Sequence, residues 1–247
     1  MHRRKHKPYV FIALGIIAAV AFMTWQDMQR IADRNIARLK LAQYVRATEN
    51  PQDIPANRLP LYVEAGAVSD AGFRPALAPQ TVAQREINLL VKIDHVPAVM
   101  AGAGEQMRQL VTDWKSKNNI LNELVLDWQT DTPDIEKMPA FATMLSESMQ
   151  NTYWISMMVQ RRWFEDHPAT LLDMARRTRR VAAYIFDMRE AVREGETLAD
   201  TVAALNKLNV PFLLIADKLP PRDALSEMSG ENDFFGGFIL HERLPAK

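Results

Sequence analysis

The sequence predicts an α/β fold: a parallel, TIM-like (β/α) barrel, incomplete or irregular in its first strands and preceded by a membrane helix. Three observations predict it. From residue 61 onward, apolar runs of strand length alternate with helical patterns, as right-handed crossovers between parallel strands require. Six of those runs are apolar in the body and stop abruptly in polar residues, as strands do when their tips converge on a shared face. No glycine-rich phosphate loop follows any strand, which argues against an open nucleotide-binding sheet.

Taken in order, strands are expected at residues 61–68, 87–93, 123–128, 153–159, 181–186, 211–216 and 234–240. Helices are expected at 98–115, with Met107, Leu110, Val111 and Trp114 on the buried side, and at 134–149, with Ile135, Met138, Phe141 and Leu145. Pro168 opens the next helix at its first position, where a missing N–H costs nothing. That helix ends in Arg176, Arg177, Arg179 and Arg180, cations placed against the negative end of a helix dipole. Two more helices are expected at 198–208 and around 222–228.

The polar tips are Asp94 and His95; Asp127, Gln129 and Asp131; Gln160 and Arg161; Asp187; Asp217 and Lys218; and His241 and Glu242. One such Asp is ordinarily a loop opener or a helix cap. Six in succession favour a common polar pocket. Trp128 and Trp163 lie near strand ends, where an aromatic face can stack on a sugar ring. His95 and His241 with Asp94 and Glu242 have metal-ligand chemistry, but scattered loop residues are the more ordinary reading, and no metal or cofactor is expected.

The N-terminus reads as a membrane segment. Arg3, Arg4, Lys5 and Lys7 precede residues 10–25, which hold no charge and only Thr24 as a polar side chain. Tyr9 and Trp25 bracket that run as interfacial aromatics do. A helix over residues 9–25 is roughly 25 Å long, slightly short of a hydrocarbon core but serviceable with basic residues snorkelling. The alternative is a cleaved signal at Ala19-Val20-Ala21. Either way the positive-inside rule puts the main domain outside the cytoplasm. Residues 26–48 read as a helical stalk, and Pro51, Pro55 and Pro60 as a stiff linker, so the barrel is expected over residues 61–247.

Composition narrows the classes further. Nine of the 30 basic and two of the 30 acidic residues precede Glu49, leaving 21 and 28 from Glu49 to the end. That acidic surplus argues against nucleic acid as a partner. The absence of cysteine excludes disulfides, thiolate metal sites, a cysteine nucleophile and lipoprotein acylation.

Read together, the tips Leu126-Asp127-Trp128-Gln129, Ile155-Ser156-Met157-Met158-Val159, Tyr184-Ile185-Phe186-Asp187-Met188, Val210-Pro211-Phe212-Leu213 and Gly236-Gly237-Phe238-Ile239-Leu240 carry a resemblance. Over residues 87–247 the chain resembles chitinase-type glycoside hydrolase barrels in their fourth to eighth strands. It is also similar to a bacterial family of membrane-tethered or lipoprotein-like barrels. The resemblance implies Asp127 and Asp187 as catalytic carboxylates, with Tyr184 nearby. It also marks two departures. The family's proton-donating glutamic acid corresponds to Gln129, and an amide is no general acid. The family's supporting tyrosine corresponds to Phe186. A barrel that binds a glycan or cell-envelope polymer without cutting it is therefore expected first. A relocated acid (Asp131, Asp217 or Glu242) and a scaffold of a membrane complex stay open beside it.

Overall fold

The computed structural model describes residues 7–55, 59–82, 85–97, 100–128, 135–150, 152–177, 181–228 and 234–243. Side chains at 7–16, 18, 28, 31, 32, 35, 36, 101, 176, 177 and 181 lie outside that description. Helix α1 (Lys7–Arg38) leads into β1 (Lys40–Val45), and β2 (Leu61–Ser69) and the short β3 (Gly72–Pro75) form a hairpin. Then follow β4 (Glu86–Ile93), α2 (Met100–Ser116), β5 (Ile120–Trp128), α3 (Met138–Ser148), β6 (Trp154–Met158), α4 (Arg161–Asp166) and α5 (Pro168–Arg177). The chain ends with β7 (Val181–Asp187), α6 (Met188–Ala191), α7 (Leu198–Asn206), β8 (Phe212–Ala216), α8 (Arg222–Glu227) and β9 (Phe235–Leu240).

Eight of these strands are parallel neighbours in the order β1-β9-β8-β7-β6-β5-β4-β2, and pairing of β1 with β2 closes the ring. A closed ring has no free edge. Only β3 runs antiparallel, as an appendage of β2. All seven expected strands are present, because each is buried on both faces and reads as a continuous apolar run.

The first quarter corrects the sequence reading. The expected helix over 26–48 stops at Arg38, and residues 40–45 form the strand that seals the barrel. Leu39, Ala42 and Val45 fit a helical spacing, but β1 gains ladders on both sides, from β9 and β2, and that pairing overrides a weak local preference. The barrel is therefore complete at eight strands, and its irregularity is that, among the described residues, neither the β1–β2 nor the β2–β4 connection carries an α-helix. The proline segment is the β1–β2 connection rather than a free linker. Pro51 is buried in a 3-10 turn capped by Asn50, Pro60 O accepts from Gln43 N at 2.9 Å, and Pro55 O accepts from Arg85 Nη2 at 2.8 Å.

Two apolar layers result. Trp114, Phe141, Leu145, Tyr184, Phe186, Phe212 and Phe238 belong to the larger one, between strands and helices. Ala42, Tyr44, Tyr62, Leu90, Val125, Ile185, Ile215 and Ile239 form the smaller one inside the ring. Strand alternation assigns the two sets: along β7, Tyr184 and Phe186 face the helices while Ile185 and Asp187 face inward.

The C-terminal half of α1 packs on α8, and Asp33 pairs with Arg222. Further back, Ile17, Val20, Phe22, Met23 and Trp25 are all at least half exposed. No helix among the described residues is long and apolar enough to cross a membrane. The first part of the apolar run lies among the side chains outside that description.

Candidate functional site

Inward alternation fixes what each strand contributes at its C-terminal end. Inward side chains toward that end are Tyr44 (β1), Glu64 (β2, just before a bulge), Lys92 (β4), Asp127 (β5), Met158 (β6), Asp187 (β7), Ile215 (β8) and His241, one residue past β9. All eight line one pocket of about 410 Å³, together with Arg46, Trp128, Val159, Gln160, Ile185, Arg189 and Glu190. Lys92 and Asp127 are direct partners across the β4–β5 ladder, as are Asp127 and Met158 across β5–β6. A ring of adjacent tips at the C-terminal face is where barrels of this kind hold ligands.

Glu64 and Asp187 are held ionised. Glu64 Oε1 accepts from the Tyr44 hydroxyl at 2.6 Å and lies 3.2 Å from Lys92 Nζ, while Oε2 accepts from Ala47 N at 3.0 Å. Burial alone would raise this carboxyl, but those three donors keep it below the ordinary range. The Tyr44 hydroxyl is pushed the other way, first by burial and then by Glu64, so it stays a donor.

Asp187 follows the same logic. Burial opposes its charge, yet it accepts from Arg189 N at 2.9 Å and pairs with the Arg189 guanidinium at 2.7 Å, which together hold it low. It also caps α6 through that N–H, so the ordinary cap reading and the site reading both apply. His241 is lowered by burial first and then by the field of Arg46, and is neutral at pH 7. Its ring packs on Tyr44 with centroids 4.6 Å apart.

The expected site residues divide. Asp127, Trp128, Asp187 and His241 line the pocket. Trp128 is only 4% exposed and meets Phe141 edge-on, so its face is not open as a sugar platform. Gln129 and Asp131 lie outside the described residues. Tyr184 and Trp163, expected at the polar face, are buried in the outer layer. The Tyr184 hydroxyl donates to the Leu171 carbonyl at 2.5 Å in α5, on the far side of its strand. Asp217 and Glu242 are exposed, are not among the pocket's lining residues, and meet through Glu242 N on Asp217 O. Among the described residues no group of three or more His, Asp or Glu is placed to hold a metal.

Tyr44, Arg46, Glu64, Lys92 and Arg189 escaped the sequence reading. Glu64 and Lys92 did leave a signal: each is a charge embedded in an otherwise apolar strand, with the same inward parity as Asp127. Tyr44 and Arg46 left none once β1 was read as helix.

Chemically, the pocket offers ionised acceptors beside cationic donors. Neither Glu64 nor Asp187 holds a proton at neutral pH, and neutral His241 is a base rather than an acid there. Comparison of the chain with protein-family models, with curated proteins and with solved structures found no match in any of the three.

Proposed function

We propose that this barrel is a membrane-anchored, extracytoplasmic binding module for a glycan or cell-envelope polymer. In this reading it resembles a glycosidase that has lost its acid. The observation that carries it is the tip ring itself: one inward side chain from each strand, with ionised Glu64 and Asp187 interleaved with Lys92 and Arg189. Alternating acceptors and donors suit vicinal hydroxyls, each of which both gives and takes a hydrogen bond. Held ionised, Glu64 and Asp187 favour binding over protonation of a leaving group. Of the three candidates for a relocated acid, Asp217 and Glu242 are not among the pocket's lining residues, and Asp131 lies outside the described residues. Anchoring through residues 9–25 is supported by the exposed apolar series from Ile17 to Trp25. The Thr24 hydroxyl also returns its proton to Val20 O and Ala21 O, at 3.0 and 2.8 Å, as a helix in lipid requires.

Full-length protein in detergent is expected to bind oligosaccharides on a glycan array. Asp127→Ala and Asp187→Ala are each expected to weaken that binding by about 2 kcal/mol, on the order of 30-fold, by removing carboxyl acceptors from the pocket. Unchanged binding in both variants would move the ligand elsewhere, and binding by neither parent nor variants would put the scaffold reading in front. Chitin-like substrates should not be cleaved, while Gln129→Glu, which restores a carboxyl at the family's acid position, should show a trace of cleavage.

Topology is tested separately. A periplasm-dependent phosphatase fused after Lys247 is expected to be active and a cytoplasm-dependent reporter inactive, because the basic flank lies at residues 3–7. The reverse pattern would place the pocket in the cytoplasm.

A further inference from the structure

The direction of α1 relates the pocket to the membrane. Arg38 is joined through Leu39 to Lys40, the first residue of β1, so α1 ends at the N-terminal mouth of the barrel. Five residues earlier, Asp33 pairs with Arg222, which opens α8 shortly after β8 has reached the opposite, C-terminal mouth. Followed backward, then, α1 climbs alongside the barrel from the N-terminal mouth toward the pocket end. At 1.5 Å per residue, Trp25 lies about 12 Å beyond Asp33 along the helix axis and Ile17 about 24 Å beyond it. The exposed apolar series therefore projects past the barrel on the side where the pocket opens.

The pocket is graded in charge along the same direction. Three of its four carboxylates are deep: Asp127 is 3% exposed, and the side chains of Glu64 and Asp187 are 14% and 23% exposed, while Glu190 is exposed beside Arg189. Its cations are shallower, with Lys92 at 37%, Arg189 at 67% and Arg46 exposed. A ligand matching this gradient has hydroxyls at its inner end and an anionic group at its outer end. Guanidinium and ammonium groups at a rim are the usual partners of phosphate oxygens.

We propose that the pocket faces the bilayer entered by α1 and takes the headgroup of a membrane glycosyl phosphate lipid. The sugar would rest on Glu64, Asp127 and Asp187, and the phosphate under Arg46, Lys92 and Arg189. This rests on the anchored glycan-binding reading above and adds to it the orientation of the site and the chemical class of its ligand. Confinement to the same surface would raise the effective concentration of such a lipid at the pocket without any further contact.

The absence of native cysteine permits single-label tests on the full chain. Lys218→Cys places a fluorophore in the exposed loop after β8, beside the pocket end but not among its lining residues. Ile120→Cys places one at the exposed start of β5, at the other mouth. In vesicles carrying a headgroup nitroxide lipid, Lys218→Cys is expected to be quenched several-fold more than Ile120→Cys. Equal or reversed quenching in protein that floats with the vesicles overturns the orientation. Failure to float overturns the anchoring reading itself, and the inference with it.

The ligand arm uses nanodiscs holding polyprenyl-phosphate-linked N-acetylglucosamine. Affinity is expected to exceed that for soluble N-acetylglucosamine 1-phosphate and for a neutral glucosyl diacylglycerol by about tenfold or more. Arg46→Ala with Lys92→Ala should remove that preference. Equal affinity for neutral soluble chitooligosaccharides would leave the glycan reading standing and sink the lipid-headgroup inference.

Discussion

Gly237→Ala is expected to cost the barrel about 3 kcal/mol or more, combining backbone strain with a steric clash that cannot relax. Gly237 sits at φ +136, a conformation that L side chains rarely adopt. It also faces Lys40 across the β9–β1 ladder, and an added Cβ would collide with the Lys40 carbonyl and amide. Those are backbone atoms, so no rotamer change clears the space. The two strands would have to separate, and β1 is the one that closes the ring. Urea unfolding of full-length protein in detergent measures the effect, with two internal controls. Gly195 also has positive φ, at +79, but nothing lies within 4 Å of an added Cβ, so Gly195→Ala should show conformational cost alone, about 1 kcal/mol. Gly102 lies in α2 with open space around it, so Gly102→Ala should stabilise by about 0.5–1 kcal/mol. If Gly237→Ala is no worse than Gly195→Ala, the seam between β9 and β1 is not as tight as described.

That seam is also where the sequence was least legible. Parallel strands buried on both faces announce themselves as apolar runs, which is why seven of the eight ring strands could be read directly. The run Lys40-Leu41-Ala42-Gln43-Tyr44-Val45 is mixed instead. Gln43 is fully buried, and it is a poor strand signal because its amide oxygen finds a donor, the Arg85 guanidinium, only through tertiary contact. Closure is a property of two partners distant in sequence, and no local pattern encodes it.

For the site, looking just beyond strand ends found Asp127, Asp187 and His241, yet missed Glu64 and Lys92 inside their strands. The rule that separates pocket from surroundings is parity. Tyr184 has the outward parity of Phe186 and packs on α5, whereas Asp187 has the inward parity of Ile185. Glu242 is one residue out of step with His241. Asp217 keeps inward parity with Ile215, but β8 ends at Ala216 and Asp217 is exposed beyond it. Trp163 belongs to α4, a helix that the sequence reading did not expect.

Glu123→Gln is expected to stabilise the protein above neutral pH by about 1–3 kcal/mol, the cost of leaving a buried group unsatisfied or charged. Glu123 is an inward residue near the opposite mouth, 7% exposed, and burial raises its carboxyl above the ordinary range even though the Tyr62 and Ser156 hydroxyls donate to it. Ser156 Oγ lies 3.0 Å from Oε2. Among the described residues Oε1 has no donor, and neither does Oδ1 of Asn88, its direct partner on β4. A single proton on Glu123 would let one oxygen donate to the other.

The sign follows from that proton. An acid whose folded pKa is raised holds a proton that the unfolded chain releases near pH 4.3. Its stabilising contribution is fully present below that value and is lost as pH rises through the folded pKa. Lys40 opposes the shift and Glu86 adds to it, so both remain unchanged in the comparison. Glutamine keeps the shape, supplies N–H donors toward Asn88 and cannot ionise. Denaturation of the two proteins between pH 5 and pH 8.5 should therefore show a gap in favour of Glu123→Gln that widens with pH. A gap that stays constant across that range would mean that Glu123 carries no buried proton and that the two orphan oxygens are satisfied in another way.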